Sequence, residues 1–172
     1  SVSRGLGDVY KRQMQTIHIN LNLNEIVYDI QNKTYLTGRS RHDGSNHEQV
    51  ANMQANDDEE CANQILRSID TAFNNLKTKL SEYLVSLQVS GSNDLPGADD
   101  SLELTLQMPS NYNNATVDTI ASASHQYIVS SAVAEWFAIT CKTDTPQYSA
   151  LAEVCLKIIS EAVNRRKRPE RK

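Results

Sequence analysis

Glycine and proline are scarce in this 172-residue chain, with six of the first and four of the second. That excludes a collagen-like or low-complexity protein. Aromatic residues make up only 6% and hydrophobic residues 39%, the latter below the roughly 45–50% usual for globular proteins. The net charge of -4 is nevertheless too small, and the apolar fraction too high, for a disordered chain. No apolar run approaches the roughly 18–20 residues of a membrane span, so no membrane partner is expected. Three cysteines, Cys61, Cys141 and Cys155, are an odd number without CxxC spacing or a secretion signal. A disulfide framework is excluded, and the three are read as reduced, half-buried small hydrophobes. The length suits a single domain with one modest core.

Catalytic signatures are also missing. There is no Gly-x-Ser-x-Gly elbow, no phosphate-cradling glycine loop and no spaced oxygens around a central glycine as in a calcium-binding EF-hand. His42 and His47 stand five apart with Asp43 between them, but no spacing matches a zinc finger or ribbon, so they are read as solvated loop residues. His125 follows Ser124 with no acid placed near it in sequence. The chain is therefore expected not to be an enzyme, with no catalytic residue, metal site or cofactor.

The sequence opens SVSRGLGDVYKRQ before Met14. This stretch has no periodic apolar pattern and lacks the apolar h-region of a signal peptide. It resembles a translated sequencing-adapter artefact found at the ends of metagenomic reading frames. Residues 1–13 are thus expected to be a non-native leader, residues 14–164 a single helical domain and residues 165–172 a basic C-terminal tail. The charge divides along the same boundaries. Residues 14–164 carry 8 basic and 19 acidic residues, a net of -11, while the tail carries six basic residues and one acid, a net of +5. The overall -4 conceals an acidic body and a basic end.

Ile17, Ile19, Leu21 and Leu23 alternate with polar residues and predict a half-buried strand over 16–23. Asn24 then reads as a helix N-cap, with a short helix over 24–36 and Gly38 as its stop. Residues 37–56 read as a polar loop holding about one helical turn. From Asp57 to Gln88 the apolar positions Cys61, Ile65, Ile69, Ala72, Phe73, Leu76, Leu80, Leu84 and Leu87 recur at three and four. That predicts one long amphipathic helix of roughly 45 Å, with acids at its start and lysines in its later half. Residues 90–100 form a loop. Leu102, Leu104, Leu106 and Met108 alternate in a second strand ended by Pro109, which would pair with the first strand or pack on the long helix.

Asn113 or Asn114 caps a helix over about 114–141, rich in Ala and Ser. Thr145 and Pro146 start a last helix that runs into the tail. The fold class is mainly α: a helical bundle of one short, one long and two C-terminal helices, with a small two-stranded β element. The residues singled out for interaction are Arg165, Arg166, Lys167, Arg168, Arg171 and Lys172, which suit phosphate backbones or an acidic neighbouring surface. Trp136 and Phe137 join them as an alternative interface anchor, core packing being the first reading.

Four stretches carry a resemblance: NEIVYDIQNKTYLTG (Asn24–Gly38), LELTLQMPSNYNNATV (Leu102–Val117), QYIVSSAVAEWFAIT (Gln126–Thr140) and VNRRKRPER (Val163–Arg171). Together they resemble small virion proteins of tailed phages and prophages of Bacteroidales gut bacteria, similar in helical layout to head–tail connector, or adaptor, proteins. The resemblance implies a non-enzymatic subunit, made in the bacterial cytoplasm, that joins a homo-oligomeric ring between portal and tail in the virion. It implies partners among portal or tail subunits, and the tail adds non-specific contact with DNA. Another neck or tail-completion protein, or a small helical regulatory or nucleic-acid-associated protein, is the alternative.

Overall fold

The computed structural model describes residues 14–97 and 99–171, so residues 1–13, on which the expectation of a non-native leader falls, lie outside the described residues, as do Ala98 and Lys172. The described residues form five α-helices, one 3-10 turn and one two-stranded antiparallel sheet. In chain order these are β1 (Gln15–Asn22), α1 (Leu23–Ser40), α2 (His47–Met53), α3 (Glu59–Lys79), β2 (Ser101–Met108), a 3-10 turn (Asn114–Thr116), α4 (Val117–Thr140) and α5 (Thr145–Val163). The mainly helical fold with a small β element is as the periodicities predict.

The two strands pair with each other. Ile17 faces Leu106, Ile19 faces Leu104 and Leu21 faces Leu102, and all six side chains are buried. Thr16, His18 and Asn20 point to solvent, as the period of two requires. Burial of each Leu or Ile contributes about 1.5–3 kcal/mol, and this row is what anchors the sheet under the helices.

Helix α4 is the central element. Ile120, Tyr127, Ile128, Val129, Val133 and Phe137 are buried around most of its circumference, and α1, α3 and α5 pack against it. A helix apolar around most of its circumference belongs largely in an interior. Ala123, Ser124, Ala132 and Ala134 supply the small surfaces that let neighbouring backbones come close.

Three local expectations are corrected. Asn22 caps α1, accepting from the backbone N–H groups of Asn24 (2.9 Å) and Glu25 (3.3 Å), so the cap lies two residues before the expected one at Asn24 and the helix begins at Leu23. Leu23 ends the strand's alternation but already belongs to the helix.

Gly38 does not stop α1, which continues to Ser40. A Cβ at position 38 would lie 3.1 Å from the Val50 carbonyl oxygen, so glycine is there to let α2 approach α1. The chain turns between the two helices at Gly44, whose φ of 92° suits only glycine well. The polar loop thus carries a seven-residue helix, seated by Met53 and Ala55 in the core.

The long helix ends at Lys79, not Gln88, and spans roughly 32 Å. Beyond it Leu84 bridges to Leu106, the Val85 N–H donates to the Thr105 carbonyl (2.9 Å) and the Gln107 N–H donates to the Tyr83 carbonyl (2.7 Å). The free edge of β2 takes these backbone groups, and that pairing replaces further helical turns. Leu80 and Leu84 keep the helical spacing because they pack on the same core from a turn.

Candidate functional site

Two surfaces stand out: the basic tail, and the segment that follows the third helix.

The tail leaves α5 docked. The Asn113 N–H donates to the Arg165 carbonyl (3.1 Å) and the Lys167 N–H donates to the Asn111 carbonyl (2.8 Å), with Arg166 bridged to Tyr112 between them. Tyr112 is fully buried and its hydroxyl pairs with Thr116 Oγ1 at 2.8 Å. Thr116 Oγ1 also lies 3.0 Å from the Ala162 carbonyl oxygen, to which it donates. Arg166 is half-buried and donates from Nη1 to the Val163 carbonyl (2.9 Å), one of the end carbonyls that α5 leaves without a helical partner. Residues 165–167 are therefore a strap across the 111–113 turn. Arg165, Lys167, Arg168 and Arg171 keep exposed side chains, and the turn that residues 165–167 strap meets the start of β1, where the Gln15 side chain donates to the Ser110 carbonyl (3.0 Å).

Trp136 and Phe137 lie in the core. Trp136 is 8% exposed and Phe137 0%. The Phe137 ring sits 5.5 Å from that of Tyr148. The core reading is what their burial supports, and neither presents an anchor on the folded chain.

Residues 85–90 read Val-Ser-Leu-Gln-Val-Ser, and their apolar members are exposed: Val85 45%, Leu87 95% and Val89 100%. The geometry explains why. Pairing with β2 matches Leu84 to Leu106 and would match Ser86 to Leu104 and Gln88 to Leu102 if continued. It would put Ser86 and Gln88 on the apolar face and leave Leu87 and Val89 on the solvent face, so pairing stops at Val85. The segment then runs free until the Asn93 carbonyl accepts from Arg67 Nη1 at 2.6 Å. The helical reading of 57–88 hid this segment, although V-S-L-Q-V-S is itself a period-two pattern.

The fold also makes polar pairs that sequence spacing did not reveal. His125 Nε2 and Asp29 Oδ2 are 2.6 Å apart although 96 positions separate them. Ser124 presents no nucleophile beside this pair, because its hydroxyl is fully buried and has no hydrogen-bond partner. Arg41 meets the buried Asp144 at 2.5 Å, and Asp144 also accepts from the Cys141 thiol at 3.3 Å. The Arg41 guanidinium is held in its charged form, first by its hydrogen bond to Asp144 and then by that carboxylate's charge. His42 Nε2 and His47 Nδ1 approach to 2.8 Å, so one ring donates to the other.

The remaining thiols, Cys61 and Cys155, are free and half-buried. Burial pushes the Cys61 and Cys155 thiols up, with Lys33 partly opposing the effect at Cys155. A raised value means less thiolate at neutral pH. Among the described residues, no group of three or more His, Cys, Asp or Glu side chains is placed to hold a metal ion. No helix among them is long and apolar enough to cross a membrane.

Comparison with family models, with curated proteins and with solved structures gave no match.

Proposed function

We propose that this protein is a structural subunit that works by assembling, and that the assembly is the head–tail connector ring of a tailed phage or prophage. The observation that carries the reading is the division of surface on one chain. An acidic body, a cationic end strapped to it and an exposed apolar segment are three unlike surfaces on a small helical domain. Unlike surfaces on one copy favour heterologous, head-to-tail contact, and such contacts close into rings when the rotation permits. The resemblance in helical layout to connector proteins supplies the finer assignment. An acidic body would also repel DNA passing through a lumen and so let it slide.

Electron microscopy of the purified protein tests the proposal. Closed rings, and their co-purification with a portal protein encoded beside this gene, are the expected result. A monodisperse monomer under all salt conditions overturns it.

One observation favours a second reading. Arg165, Lys167, Arg168 and Arg171 are exposed cations along one end of the chain, which suits contact with a phosphate backbone. A gel-shift titration in which affinity falls steeply with salt would support a nucleic-acid-associated role.

A further inference from the structure

The exposed segment after α3 and the outer edge of β1 are complementary, and they belong to the same chain. Among the described residues β1 pairs only on its β2 side. Among the described residues, no backbone group of Gln15–Asn22 takes a backbone partner on the other edge. That edge is eight residues long and its core face is the apolar row Ile17, Ile19 and Leu21. An open edge of this kind is a template for another strand. Residues 85–90 are strand-like in pattern, and past Val85, the last of them bonded to β2, they lack a strand to join because register forbids them their own β2.

We infer that residues 85–90 of one copy add as an antiparallel strand to the outer edge of β1 in a second copy. The orientation follows from charge. Beyond Ser90 the segment leads to Asp94, Asp99 and Asp100, all exposed. The Gln15 end of β1 lies against the turn that the basic tail straps. Antiparallel pairing brings the acidic stretch of the donor to Arg165, Lys167 and Arg168 of the acceptor. Parallel pairing sends it to the opposite end of the strand.

The register follows from the side chains. Placing Leu87 opposite Ile19 puts Val89 opposite Ile17 and Val85 opposite Leu21, so three exposed apolar residues continue an apolar row. Ser86, Gln88 and Ser90 then fall beside Asn20, His18 and Thr16 on the solvent face. A second copy is the occupant these features select, since one chain carries both the donor segment with its acids and the acceptor edge with its cations. Because donor and acceptor are different surfaces, each copy uses both, and the contact propagates head to tail. The inference deepens the connector reading and rests on it for the closure of that chain of contacts into a ring.

Light scattering on the full chain, as wild type and as a Leu87→Asp/Val89→Asp double variant, is the first measurement. The wild type is expected at several times the chain mass and the variant at the mass of one chain. Both must show the same far-UV circular dichroism, since neither side chain is packed in the fold, and the wild type should melt at or above the variant because assembly stabilises the folded chain. A wild-type monomer, or a variant that assembles like the wild type, overturns the inference. The second measurement mixes a His18→Cys chain with a Gln88→Cys chain under mild oxidation. A disulfide-linked heterodimer formed only in the mixture is expected, and its absence from assembled protein overturns the pairing. Rings that persist in the double variant sink this contact and leave the connector reading standing. Assemblies that depend on Leu87 and Val89 but form only open filaments sink the connector reading and leave this contact standing.

Discussion

The indole N–H of Trp136 donates to the Met53 carbonyl at 2.7 Å, across 83 positions of sequence and inside the core. It ties the central helix α4 to the C-terminal end of α2, the helix that the polar composition of residues 37–56 conceals. A buried carbonyl that loses its donor bears the desolvation cost without compensation.

Trp136→Phe retains an apolar ring and removes the donor. It is expected to destabilise the fold by about 1–3 kcal/mol, measured by urea unfolding. Trp136 is the chain's one tryptophan, so the wild-type transition can be followed by its fluorescence and the variant by circular dichroism. An unchanged midpoint would mean that water or another donor serves Met53.

Arg41 and Asp144 form an unequal pair, with side-chain exposures of 48% and 3%. Removing the exposed partner strands a buried carboxylate, whereas neutralising the buried one does not. Arg41→Ala is expected to lower the melting temperature by several degrees, and Asp144→Asn by less, because the amide keeps an acceptor for Arg41. The reverse order in calorimetry would show that the carboxylate is solvated when Arg41 is gone.

Asp58 caps α3 by accepting from the Cys61 N–H at 2.9 Å, and that bond holds its carboxyl below the ordinary value of 3.8. A carboxyl depressed in the folded state stabilises the fold above its unfolded value, and this contribution is lost as pH falls through the folded value. Asp58→Ala should therefore melt below the wild type at neutral pH, with the gap closing as pH drops below 3.8. Melting curves of both proteins between neutral and acid pH measure it, and a gap constant into acid would contradict the capping account.

The tail divides into a strap and a free end. Truncation after Lys167 removes Arg168–Lys172 and should leave the melting temperature unchanged. Truncation after Asn164 removes the two backbone bonds to Asn111 and Asn113 together with the Arg166 cap, and should lower it by a few degrees. Assembly should weaken in both, more so at low salt, where cations act furthest. Equal melting of the two truncated chains would mean that the strap contributes nothing to the fold.

The sheet and the last two helices were legible because their signals are local. Alternation at Ile17, Ile19 and Leu21 and at Leu102, Leu104 and Leu106 depends on a period that one strand carries by itself. Pro146 and the Ala-rich run in α4 likewise act within a few residues. The end of α3 was not legible. Leu80, Leu84 and Leu87 keep the helical spacing, and nothing nearby declares that the edge of β2 competes for the backbone of Tyr83 and Val85. Gly38 misled for a related reason: its meaning lies in the Val50 carbonyl, which local sequence does not place.

On the candidate surfaces the division is similar. Sequence alone determined the acidic body and the basic end, since charge is a sum over residues wherever they lie. Burial removed Trp136 and Phe137 from the surface, and backbone bonding turned Arg165–Lys167 into a strap. Only the tertiary structure decided that Val85, Leu87 and Val89 stand in solvent. The strand they extend beyond pairs in a register set by Leu84 and Leu106, and a register between distant segments is a relation that neither segment encodes on its own.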